Sequence, residues 1–147
     1  MRYLLLAHLA GVIVWIGGMF FAHFCLRPVA ALQLPPPQRL PLMTAVLGRF
    51  FAAVAVSVVA ILGSGFAMAS ISGYAGGTVG RHLMMGIGSA MALIFAVIYL
   101  RLYPQLRTRI EAGEWQAGGA VLDRIRRLVL LNLGLGTLTL VSAMVPV

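Results

Sequence analysis

Four stretches of roughly twenty or more apolar residues constrain this chain more than anything else in it. A helix needs about 20 such residues to cross the hydrocarbon core of a bilayer. The stretches run over about 3–26, 42–71, 79–103 and 128–145, and the first is interrupted only by His8 and His23. They account for a composition of 61% hydrophobic and 10% charged residues. An average soluble domain has about 45–50% and roughly 25%. A water-soluble chain of 147 residues could not bury that much apolar surface, which excludes a soluble globular enzyme. A disulfide-stapled mini-protein is excluded by the single cysteine, Cys25. The expected fold is all-α: an integral membrane four-helix bundle forming one domain over 1–147.

The first stretch is too long for a cleavable signal peptide, and Arg27-Pro28 stands where small residues would be expected. Between the spans, Gln33 to Gln38 holds three prolines and reads as a loop. Ser72 to Gly77 reads as a short turn. Gln105 to Arg127 holds all three acidic residues and reads as an aqueous or interfacial loop, partly helical.

All 11 basic residues are arginine. Four spans put both termini on one side, which receives only Arg2 and Arg81. The other side receives Arg27, Arg39, Arg49, Arg101, Arg107, Arg109, Arg124, Arg126 and Arg127. By the positive-inside rule the arginine-rich side faces the cytoplasm and both termini face the periplasm. The charge is thus a topology signal rather than a nucleic-acid footprint, and the runs Arg107 to Arg109 and Asp123 to Arg127 read as determinants solvated among anionic headgroups. The expected location is a bacterial inner membrane, crossed several times, with the lipid bilayer as first partner.

Ionisable residues inside a span are costly, and each is a candidate functional residue. His8 lies near the terminal end of span one, and His82 near the same end of span three. His23 is 15 residues beyond His8, about 22 Å at 1.5 Å per residue, close to the arginine-rich side. Two imidazoles at equal depth on different helices can clamp one metal centre. One reading is haem b, with His8 and His82 as axial ligands. Arg81 and Arg2 would then meet the propionates, and Trp15, Gly11 and Gly86 would shape the pocket. The other is copper, because Met68, Met84, Met85 and Met144 fall near the same depth and thioethers with imidazole suit Cu(I). Methionine is equally an apolar filler, and glycines equally let helices pack closely. His23 and Cys25 stand two apart, which does not put them on one helical face. Asn132 is placed to hydrogen-bond a neighbouring helix. No phosphate-binding loop or nucleophile triad is present, so hydrolytic chemistry has no support.

Span one reads His8, then Trp15 seven residues on, then Gly17-Gly18 and an apolar run. It resembles the first helix of the CopD-like copper-resistance membrane domain. HemJ-type protoporphyrinogen oxidases have a similar pattern, His…Trp-x-x-Gly-x-Phe with a following Arg, here Arg27. Their third helix also opens with a His, here His82. The resemblance implies a four-helix membrane bundle, haem b in the HemJ-type branch, copper handling in the other, and His8 and His82 as ligands. The HemJ-type third helix carries a Lys two residues after its His, whereas this chain has Met84 there and no Lys anywhere.

Three functions are open at this point. The leading one is a small b-type cytochrome passing electrons near the periplasmic face, with quinone or a periplasmic redox protein as partner. The second is a copper-binding or copper-transporting membrane protein. The third is a structural subunit whose histidines bind nothing. Bundles of this size with many small residues often associate, so a homo-oligomer is a further expectation.

Overall fold

The computed structural model describes residues 1–73 and 79–144, the last without its side chain. Among these residues the chain is four long helices: α1 Arg2–Gln33, α2 Pro36–Ser72, α3 Val79–Glu111 and α4 Trp115–Met144. All four are long and apolar enough to span a membrane. Large apolar side chains stand exposed around the mid-helix perimeter, among them Ile13, Val56, Val59, Leu93 and Leu100. Such a surface is stable against lipid tails and not against water. The protein is a multi-pass membrane protein.

The helix ends differ from the sequence expectation at two places. Only Leu34 and Pro35 separate α1 from α2, because Pro36 opens the second helix instead of keeping the segment open. The first N–H groups of a helix have no partner within it, so proline costs nothing there. The expected long loop over 105–127 is two protruding helix ends joined at Ala112 to Glu114, with Gly113 at φ 71° making the reversal. Ion pairs one turn apart support these exposed turns. Arg107 meets Glu111 at 3.2 Å, and Asp123 accepts from Arg126 at 2.7 Å and Arg127 at 3.0 Å. Arg109 pairs with Glu114 across the reversal. Of the Ser72 to Gly77 turn only Ser72 and Gly73 are described, and Gly73 ends α2 at φ 78°. The side chain of Met144 lies outside the described residues.

Two of the helices contain a widened π-turn, Phe21–Leu26 in α1 and Ile98–Leu102 in α3. Each precedes a proline, Pro28 and Pro104. A proline ring clashes with the carbonyl four residues earlier and leaves it without a donor. Those carbonyls belong to Phe24 and Leu100, one inside each π-turn. Widening the turn moves the carbonyl off the ring and lets the helix continue.

α1 packs mainly on α2, and α3 mainly on α4. Gly11 makes the first contact close, since a Cβ there would stand 2.8 Å from Ile61 and 3.0 Å from the Ser57 carbonyl oxygen. The two pairs are joined by a buried cluster that includes Trp15, Met19, Phe51, Phe95, Ile98 and Val129. This cluster sits from mid-depth toward the arginine-rich end. At the opposite end, which carries the termini, the pairs stand apart.

Candidate metal-binding cavity

The gap between the helix pairs at the terminal end is a cavity of about 370 Å³. All four helices contribute walls, which are mainly apolar. Its donor atoms come from a few positions. Met68 reaches it from α2, and Met84, Met85 and Met91 reach it from α3. His8 reaches it from α1, Ser89 from α3 and Thr139 from α4. Arg81 is its one arginine among the described residues. No carboxylate lines it among the described residues.

The imidazole of His8 is held from behind. Its Nδ1 lies 3.1 Å from the Ile61 carbonyl oxygen and 3.1 Å from Ser64 Oγ, both on α2. A carbonyl can only accept, so in the neutral ring Nδ1 carries the proton and Nε2 keeps its lone pair. The Ser64 hydroxyl donates to carbonyls of its own helix and so receives from His8. Gly65 adds room beside the ring, where a Cβ would stand 3.5 Å from Cε1. A ring N–H given to a backbone carbonyl is the usual way a protein fixes the tautomer and aim of a metal-binding histidine. The lining hydroxyls are similarly committed. Ser89 donates to the Met85 carbonyl at 2.7 Å and Thr139 to the Leu135 carbonyl at 2.9 Å, leaving only lone pairs for the cavity.

Of the residues singled out by depth in the sequence, His8, Arg81, Trp15, Met68, Met84 and Met85 line this cavity. His82 does not; it is exposed on α3. Its neighbour Arg81 takes the cavity-facing position and also donates to the Gly73 carbonyl at 3.4 Å. One residue along a helix turns the side chain by about 100°, so equal height does not mean equal direction. Arg2 is exposed and outside the lining, and Gly11 is buried against α2. Gly86 has nothing within 4 Å of a would-be Cβ and is not part of the wall, whereas Gly88 is. Met91 is a lining residue that depth alone did not bring forward, because it lies a full two turns below Met84. Asn132 bonds a neighbouring helix as expected, its Nδ2 donating to the Met91 carbonyl at 3.1 Å.

At the arginine-rich end, His23 and Cys25 sit in the π-turn of α1. Cys25 is exposed, and the His23 ring meets Phe24 edge-on at 4.7 Å. Among the described residues, no group of three or more His, Cys, Asp or Glu comes together to hold a metal. Glu111, Glu114 and Asp123 all sit at the arginine-rich end and are paired with arginine there.

A family model described as Copper resistance protein D matches residues 44–145. That segment takes in most of α2 and all of α3 and α4. The His8-to-Gly18 signature of α1 lies before it. No curated protein and no solved structure matches the chain. The match carries the copper-resistance half of the resemblance seen in the sequence and not the HemJ-type half, and nothing in it supports haem b. With more than half its length matched, the chain belongs to the copper resistance protein D family.

Proposed function

We propose that this protein takes up copper as monovalent ions in the cavity at its terminal end, with His8 and the cavity methionines as ligands. The observation that carries this reading is the donor set. An imidazole and several thioethers line an apolar space that no carboxylate lines among the described residues. Soft ligands of this kind select Cu(I) over hard divalent ions, which need oxygen anions. Met68, Met84 and Met85 stand near His8 in depth and belong to a family named for copper resistance. Thioethers bear no proton to lose, so binding by them leaves the span uncharged apart from the ion itself.

The nine-to-two arginine asymmetry orients the bundle in this reading. It supports a cavity on the periplasmic side of a bacterial inner membrane, with the sealed end on the cytoplasmic side. A reporter fused after Val147 is then active outside the cytoplasm, and cytoplasmic activity would reverse the direction.

The cavity is larger than a bare ion requires, which is the one observation favouring haem. A haem b there would be held by His8, with Arg81 for a propionate. One experiment separates the readings. Detergent-purified protein is titrated with Cu(I) under reducing conditions against a chromophoric chelator, and its visible spectrum is recorded. Copper binding that falls at least tenfold in His8→Ala and in Met84→Leu/Met85→Leu is the expected result. A Soret band lost in His8→Ala assigns the cavity to haem instead, and absence of both signals rejects the metal reading.

A further inference from the structure

Below the floor of the cavity lies a second, much smaller space of about 10 Å³. Trp15 borders both spaces. Met19 and Asn132 reach the smaller one, whose other walls are Phe and aliphatic side chains. Asn132 is only 1% exposed. Its amide nitrogen must be the atom facing the Met91 carbonyl, because two oxygens would have no proton to share. That fixes the orientation of the amide, and it leaves Oδ1 buried with no partner among the described residues. Buried polar atoms are nearly always paired, so one left open in a packed core calls for an explanation. The space is about the size of a single small sphere. A hydrated ion does not fit, and a bare one does.

We propose that Asn132 Oδ1 and the Met19 thioether form a second station for a dehydrated monovalent copper ion, beneath the cavity and against the Trp15 ring. The inference rests on the copper reading of the cavity and extends it inward. Asn132 and Met19 supply one neutral oxygen and one soft sulfur, and an indole such as that of Trp15, which borders the space, can attract a cation to its ring. Met91 links the two levels. Its side chain is part of the cavity wall, and its carbonyl holds the Asn132 amide in place. An ion leaving the cavity methionines therefore meets one further thioether, with an amide oxygen beside it, one step deeper. Sodium and potassium, which need several hard oxygens, find a single one here.

The test is a Cu(I) titration of the detergent-purified full chain, counting equivalents bound. Its second readout is Trp15 emission in a Trp115→Phe background, where Trp15 is the sole tryptophan. Two equivalents are expected, the second quenching Trp15. His8→Ala should lose the cavity equivalent only. Asn132→Leu, which keeps the number of side-chain heavy atoms, and Met19→Leu, which is similar in volume, should each lose only the deeper equivalent and the quenching. Because Met19→Leu keeps the buried amide intact, a folding defect in Asn132→Leu would not decide the matter. One equivalent that depends on His8 and is untouched by either deeper variant overturns the second station, leaves the cavity reading standing and assigns Asn132 Oδ1 to a buried water. No copper bound at all overturns both.

Discussion

The two ends of this bundle use different residues for opposite purposes. Toward the arginine-rich end, aromatic rings close the space between the helix pairs. Phe51 meets Phe95 edge-on at 6.0 Å and Tyr103 at 5.6 Å, while Phe95 stacks on Tyr99 at 5.5 Å. Trp15 caps the series against Phe95 at 6.1 Å. The Tyr103 hydroxyl donates to the Thr44 carbonyl at 3.3 Å, tying α3 to α2. Toward the terminal end the same four helices present methionines, glycines and aliphatics that do not meet. Lipid tails are as apolar as the side chains, so helices in a membrane gain little from burying apolar surface and hold together by close packing. An end without interlocking rings therefore stays open at modest cost, provided the other end carries the packing. Rigidity at one end is what allows a binding space at the other.

That division predicts where substitutions hurt. Phe51→Ala, at the centre of the ring cluster and 1% exposed, should have the largest effect on the fold, about 3 kcal/mol by analogy with other buried Phe truncations. Equilibrium unfolding in mixed micelles measures it, and a loss below half that figure would break the contrast. Gly48→Ala comes next. Its Cβ would run into the Tyr103 hydroxyl, and overpacking of this kind costs about 2 kcal/mol. Tyr103→Phe removes only the bond to Thr44, and interhelical hydrogen bonds in membranes average about 0.6 kcal/mol. At the open end, Met84→Leu should change stability by less than about 0.5 kcal/mol, because the swap conserves volume and apolarity, while weakening Cu(I) binding in the chelator competition. A cavity substitution that unfolded the protein as readily as Phe51→Ala would erase the distinction between the ends.

Much of this architecture was legible in the sequence, for a physical reason. Run length against bilayer thickness is a one-dimensional measure, and it located four spans and the shared depth of His8 with Met68, Met84 and Met85. Direction around a helix axis is not readable from depth. His82 sits at the expected height and still points away, while Arg81 beside it faces the cavity. The π-turns did have a signal, Pro28 and Pro104 inside otherwise continuous apolar or helical runs, but a proline can end a helix as easily as widen it. The protruding ends of α3 and α4 carry only a short apolar stripe, Leu106 with Ile110 and Val121 with Ile125, and the charged residues around it set the polarity of the segment. The open Oδ1 of Asn132 was beyond reach, since an unmet partner exists only once all neighbours are known.

Trp15 borders both the large cavity and the small space below it. Its indole is part of the floor and meets the Phe95 ring edge-on. A smaller residue at this position would join the two spaces into one hollow reaching past the middle of the bundle. This side chain therefore helps set both how deep the protein is open from its terminal end and how far water can follow.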